Sequence, residues 1–192
     1  MRRGLESDEK HTVNDFRRVE IVFRPLSADD LPVIHEWINR PHVSAWWDSP
    51  VTFEDVQADY APCLAADSDT SVFIAQLDGK AIGFIQSYVA ARSSDGWWPT
   101  ETDPGVRGID QFLADEDALN RGLGTLMVRA FVARLFTDPA VTRIQTDPNP
   151  GNARAIRCYE KAGFERVGLV DTPDGPALLM YCERDRFAAA DA

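Results

Sequence analysis

The sequence has little of the material from which secreted, membrane-spanning or metal-binding proteins are usually built. Three of its 192 residues are cysteine, Cys63, Cys158 and Cys182, and three are histidine. The cysteines show no Cys-x-x-Cys spacing and no nearby histidine cluster, so we expect reduced thiols and no metal site. No long uncharged apolar run occurs, and residues 1–18 are too polar for a signal peptide. These absences predict a cytoplasmic protein that does not span a membrane.

Positive charge is also scarce. The chain carries 20 lysine and arginine residues against 31 aspartate and glutamate residues, which gives a formal net charge of −11 at pH 7. Such a surface repels nucleic acid and anionic lipid, and it attracts cations. We therefore expect a cationic small molecule or a basic peptide as the partner, and neither nucleic acid nor a membrane.

The length and the 44% hydrophobic fraction predict one folded domain with a core. We place this domain at residues 19–184, after a flexible extension at residues 1–18 and before a tail at residues 185–192. Apolar residues alternate in some segments and recur at helical spacing in others, in the order β-α-α-β-β-β-α-β-α-β-β. This order predicts an α/β (α+β) fold, a single mixed, mostly antiparallel twisted sheet with flanking helices.

A glycine-rich turn lies between a predicted strand, Val106–Leu113, and a predicted helix, Gly122–Phe136. Its sequence is Arg121-Gly122-Leu123-Gly124-Thr125. Glycine lets successive backbone N–H groups point into one space, and the helix N-terminus adds partial positive charge. The turn is suited to holding a pyrophosphate. A tight strand-to-helix connection would need the same residues, so the motif alone leaves both interpretations open.

Two stretches resemble the Gcn5-related N-acetyltransferases. Residues 119–124 resemble the acetyl-CoA loop of that family, with Leu119 where the family has Gln or Arg, and residues 152–164 resemble its Asn-x-x-Ala-x-x-x-Tyr-x-x-x-Gly-Phe signature. The resemblance implies the GNAT fold, acetyl-CoA as the cosubstrate, and Tyr159 as the acid that protonates the leaving thiolate. The cofactor-binding residues that it implies are Gln111, Phe112, Leu113, Arg121, Gly122, Leu123, Gly124, Thr125, Asn152 and Ala155.

Acetyl transfer to an amine places a demand on the site. An amine like that of lysine has a pKa of about 10.4, so presenting it neutral at pH 7 costs roughly 4–5 kcal/mol. The site must bind a cation and then accept its proton, which a carboxylate does directly or through water. Asp110 is the most specific candidate, because aspartate is disfavoured in the middle of a strand. The full set of candidates is Asp95, Glu101, Asp103, Asp110 and Asp147.

Tryptophan is concentrated in two unusual places, Trp46-Trp47 after the first helix and Trp97-Trp98 on a loop rich in Gly, Ser and Pro. Large aromatic side chains on loops either cover the core from outside or form the wall of a binding site. Aromatic rings mixed with carboxylates suit a sugar that carries ammonium groups.

Further stretches between residues 23 and 180 resemble one branch of the family, the aminoglycoside 6'-N-acetyltransferases. They are residues 36–42, 86–90, 95–98, 101–115, 144–148 and 172–176. The resemblance implies direct transfer from acetyl-CoA to the 6'-amine of an aminoglycoside antibiotic in a ternary complex, by a monomer or weak homodimer that confers resistance. It implies Asp110 as the general base. The substrate-binding residues implied are Trp46, Trp47, Asp95, Trp97, Trp98, Asp110, Asp147 and Asp174.

Three other functions remain open on the sequence. Siderophore-pathway acyltransferases that act on lysine or hydroxylysine share the Asn-Arg-Pro-His-Val segment and the glycine loop, but differ at Gly108-Ile109-Asp110-Gln111. A protein N-terminal acetyltransferase is a second enzymatic alternative. A non-catalytic member of the fold that binds CoA or a cationic drug without turnover is the third.

Overall fold

The computed structural model describes residues 20–47, 51–93 and 96–190, and these contain seven strands and six α-helices. The strands are β1 (Ile21–Pro25), β2 (Thr70–Leu77), β3 (Lys80–Val89), β4 (Val106–Leu113), β5 (Arg143–Thr146), β6 (Glu165–Thr172) and β7 (Gly175–Glu183). The helices are α1 (Leu31–Ile38), α2 (Pro41–Ser44), α3 (Phe53–Tyr60), α4 (Leu123–Leu135), α5 (Ala153–Ala162) and α6 (Arg184–Ala190). In these ranges no helix has the length and apolar character needed to cross a bilayer.

The strands form a single sheet in the order β1-β2-β3-β4-β5-β7-β6. Every neighbouring pair is antiparallel except β4 and β5, which are parallel and are paired only from Val106 and Arg143 to Gly108 and Gln145. Beyond Gly108, β4 continues beside β3 to Leu113, so that its other edge is no longer paired with β5. The two strands therefore part in the middle of the sheet. The single mixed, mostly antiparallel sheet confirms the predicted fold.

The core has two parts, one on each face of the sheet, because successive side chains of a strand point to opposite faces. On β4, Ile109 and Leu113 pack with the residues of α4 and α5. Phe112 points the other way and packs beneath α1 and α3, stacked on Phe84 of β3 at a ring-centroid distance of 5.3 Å. By the same alternation Asp110 shares the face of Phe112. Helices α1 and α3 cover this face of the sheet near Phe112. Near Asp110 the same face is uncovered and forms the floor of a cleft.

Short local sequences account for several details of the fold. Strand β4 has the predicted bounds, and Asp78-Gly79 turns the β2–β3 hairpin with φ values of 51° and 77°. Gly163 ends α5 with φ of 105°, and Thr52 opens α3 with a capping box. In each case a few adjacent residues specify the geometry.

Two helices are absent from the predicted order. Helix α2 is a single turn that begins at Pro41, soon after α1 ends, and one turn is too short for a helical repeat to be recognised. Helix α6 lies in the segment that we set apart as a tail. It is docked by Phe187, which is buried, and by Arg184, whose guanidinium donates to the carbonyl oxygens of Phe136 and Val141.

Gly83 tests the close packing of β3 against β4. A Cβ atom at this position would overlap the backbone carbonyl oxygen of Phe112, which cannot move without breaking the sheet. We expect Gly83→Ala to lower the free energy of unfolding by about 2–3 kcal/mol, as overpacking does in a dense core. Denaturant unfolding measures this change.

The matched control is Gly168→Ala in the edge strand β6, where an added Cβ would meet nothing within 4 Å. We expect that variant to unfold within about 0.5 kcal/mol of the parent protein, as substitutions in open space usually do. Equal losses in the two variants would contradict the close-packing explanation.

Candidate active site

The larger of the two cavities that we describe is a cleft with a volume of ≈ 1090 Å³. It lies over the part of the sheet that α1 and α3 leave uncovered. Its floor is formed by Gln86 and Tyr88 of β3 and by Asp110 of β4. These side chains lie on the same face as Phe84 and Phe112, further along the same two strands. The alternation that buries phenylalanine under the helices therefore exposes polar side chains in the cleft.

Five aspartates line this cleft, and three of them, whose charges act on one another, come from separate parts of the chain. Asp110 lies in β4, Asp147 directly follows β5, and Asp174 lies at the turn between β6 and β7. Burial raises the pKa of Asp110, a hydrogen bond from Gln86 opposes the rise, and the charge of Asp174 adds to it. Burial, followed by the charges of Asp110 and Asp174, raises the pKa of Asp147 to about 7. The ionised carboxylates would repel one another. A cation bound between them would offset this repulsion and favour their ionised forms.

Gln86 and Tyr88 were not predicted as site residues. Gln86 lies directly opposite Asp110 in the β3–β4 register, and its Nε2 donates to Asp110 Oδ2 at 2.9 Å. Tyr88 lies opposite Gly108, and its ring occupies the space that a Cβ of residue 108 would need. Both residues are identified by the register of β3 against β4. That register cannot be predicted from the sequence, because a long connection joins the two strands.

Tyr159 reaches the same cleft from the other side of the sheet. It belongs to α5 and packs in the core behind the sheet, yet it lines the cleft together with Asp110 and Thr146. The parting of β4 and β5 makes this possible. Burial raises the pKa of Tyr159 well above its ordinary value, opposed by hydrogen bonding with Thr146, and the charge of Asp110 raises it further. The hydroxyl is therefore protonated at neutral pH.

A second cavity, a groove of ≈ 240 Å³, runs between the free edge of β4 and the first turns of α4 and α5. Gly122 opens α4 with φ of 82°, and an added Cβ there would meet nothing within 4 Å, so the backbone at the helix N-terminus is accessible. Arg154, Arg157 and Lys161 also line the groove. A helix N-terminus with three cations nearby suits the phosphates of an elongated anion such as coenzyme A.

The groove and the cleft meet. Both are lined by Trp46, Trp47, Gln111, Asn152 and Ala155. Asn152 caps α5 by accepting a hydrogen bond from the backbone N–H of Ala155 at 3.1 Å. An anionic molecule in the groove and a cationic one in the cleft would therefore come together near Asp110 and Tyr159.

Comparison with known proteins agrees with this geometry. Residues 27–172 match the domain family described as Acetyltransferase (GNAT) domain. The chain is 54% identical over 170 residues to the aminoglycoside N(6')-acetyltransferase type 1 of Klebsiella pneumoniae, an alignment that covers 87% of this chain and 85% of that relative. This chain belongs to the aminoglycoside N(6')-acetyltransferases of the GNAT family.

The acetyltransferase also resembles solved structures of its family. The crystal structure of the aminoglycoside acetyltransferase AAC(6')-Ib in complex with coenzyme A and kanamycin matches it with a TM-score of 0.85 and 54% identity, over 90% of this chain and all of that one. A lysine N-acyltransferase, MbtK of Mycobacterium tuberculosis, is more distant, with 29% identity over 86% of this chain and 79% of its own length. The predicted family and the predicted acetyl-CoA-dependent enzyme class are confirmed.

Most of the predicted substrate-binding residues lie together in the cleft of the acetyltransferase. The predicted residues that line it are Trp46, Trp47, Trp97, Asp110, Asp147 and Asp174. Trp98 is not among the lining residues and packs against Trp97, with ring centroids 5.9 Å apart. Asp95 lies outside the described residues. The binding roles of these residues stay predictions.

The predicted cofactor-binding residues divide in a similar way. Those that line the groove are Gln111, Phe112, Leu113, Gly122, Gly124, Thr125, Asn152 and Ala155. Arg121 is exposed and Leu123 packs towards the core, and neither lines the groove. In the described part of the acetyltransferase, no group of three or more His, Cys, Asp or Glu side chains is arranged to hold a metal ion.

Two other acidic candidates have partners within the protein. Glu101 accepts from Arg143 at 2.6 Å, and Asp103 accepts from the hydroxyl of Thr142 at 2.7 Å. Neither acid lines the cleft. They therefore hold a loop in place, while Asp110 and Asp147 face the cleft.

The buried carboxyl of Asp147 should reduce the stability of the acetyltransferase once it is ionised. Because its folded pKa of about 7 lies above its ordinary value of 3.8, the stability linked to its protonated form is full at low pH and is lost as the pH rises through about 7. We expect Asp147→Asn to be more stable than the parent by roughly 2 kcal/mol near pH 8, and the two to be similar near pH 4. Denaturant unfolding at both pH values measures the difference.

Asp30→Asn is the control with the opposite sign. The Arg24 guanidinium holds the pKa of Asp30 well below its usual range, so the ionised group stabilises the fold at neutral pH. That variant should be less stable than the parent near pH 8. An Asp147→Asn variant that is less stable there as well would show that Asp147 is not strained by burial and by its neighbours.

Proposed function

We propose that this acetyltransferase transfers the acetyl group of acetyl-CoA to the 6'-amine of an aminoglycoside antibiotic and thereby confers resistance. The observation that carries the proposal is the junction of the cationic groove with a cleft that holds Asp110, Asp147 and Asp174. A relative of 54% identity is crystallised with coenzyme A and kanamycin, which gives the cosubstrate and the class of acceptor.

The chemistry is a direct transfer in a ternary complex. The nitrogen of the neutral amine attacks the thioester carbonyl, the new C–N bond forms, and the C–S bond breaks. Asp110 accepts the proton of the ammonium group, directly or through water, and its raised pKa suits a general base. Tyr159 supplies a proton to the departing sulfur. The adduct loses a second nitrogen proton as the amide forms, and this proton returns through water to the Tyr159 oxygen. The amide and free coenzyme A are the products, and the proton taken up by Asp110 is released to solvent.

The other acids and the aromatic residues hold the acceptor in place. Asp147 and Asp174 would bind further ammonium groups, which accounts for more than one carboxyl in a cleft for one reacting amine. Trp46 and Trp97 would pack against the faces of the sugar rings. The groove residues that we predicted for coenzyme A, from Gln111 to Leu113 and at the glycine turn, would bind its pantetheine arm and phosphates.

The alternatives fit these observations less well. A lysine-type acceptor presents one side-chain ammonium group, whereas five aspartates line the cleft, and the lysine N-acyltransferase MbtK is only 29% identical. A protein that binds CoA or drug without turnover would have no need for a buried tyrosine beside the proposed general base. Tyr159 and Asp110 line one cleft, which supports turnover.

Asp110→Ala tests the general base. We expect kcat/KM for kanamycin to fall by at least about tenfold, within the usual range for a lost general base. The assay follows thiol release from acetyl-CoA, with kanamycin or free lysine as the acceptor. Activity of the parent on lysine alone would favour the siderophore-type alternative, and kanamycin binding without thiol release would favour a non-catalytic binder.

Asp117→Ala is the matched control, because Asp117 is an exposed acid that lines neither the cleft nor the groove. It removes the same charge from the chain, so it separates a local role of Asp110 from general attraction of a cation. Its kcat/KM should stay within about twofold of the parent. Unchanged kinetics in Asp110→Ala would remove Asp110 from the mechanism.

Tyr159→Phe tests the acid. Removing the hydroxyl leaves the ring in the core, so we expect kcat to fall by about tenfold or more while KM for kanamycin changes little. The same thiol-release assay gives both constants, and thermal unfolding shows whether the fold is intact. A change confined to KM would contradict an acid role.

A further inference from the structure

The wall of the cleft that carries Trp97 belongs to an irregular segment, residues 96–105, which we call the tryptophan loop. Trp97 lines the cleft, and Trp98 packs behind it. The segment forms turns and bends and contains no helix or strand. The backbone of the loop is joined to the residue before β5 only at its end, where the carbonyl oxygen of Gly105 accepts from the N–H of Thr142. Nearer Trp97, the contacts that we describe between the loop and the sheet are made by side chains.

Trp98 is held in a conformation that it would not adopt alone. Its φ is 49°, a left-handed value that a bulky residue rarely adopts because its Cβ crowds the backbone. Its indole Nε1 donates to the hydroxyl of Tyr88 at 3.1 Å, and its carbonyl oxygen accepts from the backbone N–H of Glu101 at 2.9 Å. Glu101 is therefore bonded directly to Trp98, the neighbour of Trp97.

Glu101 is in turn fixed from two directions. Its Oε1 accepts from the backbone N–H groups of Thr102 and Asp103, both at 2.9 Å, which tightens the loop itself. Its Oε2 accepts from Arg143 Nη2 at 2.6 Å, which joins the loop to β5. The two side chains are only 16% and 24% exposed, so solvent screens this ion pair less than a surface pair.

Arg143 has few alternatives to Glu101. Its guanidinium carbon lies 4.1 Å from the ring centroid of Tyr181 in β7, and its Nε is buried without a hydrogen-bond partner in the described part of the chain. The ring fixes the plane of the guanidinium, and Glu101 is the ion-pair partner that we observe for it. Contacts with Tyr181 and Glu101 thus join β7, β5 and the tryptophan loop at Arg143.

We propose that Glu101 and Arg143 are positioning residues for the amine-binding site: their ion pair ties the tryptophan loop to β5 and so sets the place of Trp97 in the cleft. Neither residue lines the cleft or the groove, so neither is expected to touch a substrate. Thr142 also holds the loop, through its hydroxyl to Asp103 at 2.7 Å and its backbone N–H to the carbonyl oxygen of Gly105 at 3.0 Å. These contacts lie nearer the start of β4 and further along the chain from Trp97. This inference rests on the proposed function.

Glu101→Gln and Arg143→Met test the proposal by steady-state kinetics. A loosened wall weakens binding of the aminoglycoside without changing the reacting groups, so we expect KM for kanamycin to rise about tenfold. We expect kcat and KM for acetyl-CoA to stay within about twofold. Arg143→Lys keeps the charge and serves as a second variant if Arg143→Met does not fold.

A double-mutant cycle with Trp97→Ala provides a readout that general destabilisation would not move. If Glu101 acts through Trp97, the KM effect of Glu101→Gln should shrink to less than about twofold once Trp97 is alanine. Independent, additive effects of the two substitutions would overturn the proposal.

Asp30→Asn is the control for loss of an ion pair elsewhere, since Arg24 and Asp30 pair at 2.8 Å and line neither cavity. It should leave KM for kanamycin within about twofold even where it lowers the melting temperature. An equal rise in KM for this variant, or a rise in KM for acetyl-CoA in Glu101→Gln, would also overturn the proposal.

The parent protein separates failure of the inference from failure of the proposed function. Thiol release by the parent with unchanged KM in the Glu101 and Arg143 variants overturns the inference alone. If the parent releases no thiol, calorimetric titration with kanamycin replaces the kinetic assay. The expected effect of Glu101→Gln and of Arg143→Met is then a rise of about tenfold in Kd for kanamycin. A parent that neither turns over nor binds kanamycin overturns both.

Discussion

The active site depends on the early parting of β4 and β5. The two strands are paired only as far as Gly108 and Gln145, after which β4 follows β3 alone. This gap opens the edge of β4 to the groove, and it lets Tyr159 of α5 reach a cleft on the opposite face of the sheet. A fully paired sheet would separate the two cavities and leave Tyr159 in the core. The meeting of a cosubstrate groove with an acceptor cleft is therefore a property of the sheet.

Charge is divided between the two sides of this gap. The chain as a whole is acidic, and five of its aspartates line the cleft, where burial and mutual repulsion raise the pKa of Asp110 and Asp147. The groove instead has Arg154, Arg157 and Lys161 along with the N-terminus of α4. An acidic protein can therefore hold an anionic cosubstrate, because the electrostatics that matter are local.

Several features of the site reduce stability and are maintained by the surrounding structure. The carboxyls of the cleft are buried near one another, and Trp98 adopts a left-handed conformation. Tyr88 occupies space that is free only because residue 108 is glycine, and its hydroxyl then supports Trp98. The ion pair between Glu101 and Arg143 holds the same loop from the other side. Strain of this kind persists at functional sites where neighbouring contacts leave no alternative.

The sequence by itself determined whatever depends on a few adjacent residues. The turn at Asp78-Gly79, the bounds of β4, the cap at Gly163 and the glycine turn before α4 all follow from local backbone chemistry. An aspartate in mid-strand, Asp110, was enough to suggest the centre of the site. The family and its acetyl-CoA chemistry also followed from short motifs.

Only the tertiary structure decided which distant side chains meet. Gln86 lies opposite Asp110 because of a register between strands joined by a long connection, and Glu101 pairs with Arg143, 42 residues away in the sequence. The same packing put Trp97 in the cleft and Trp98 behind it, and gave Glu101 and Asp103 structural partners while Asp147 faced the cleft. Composition and spacing do not encode such pairings, because register and side-chain partners are set by the packing of the whole sheet.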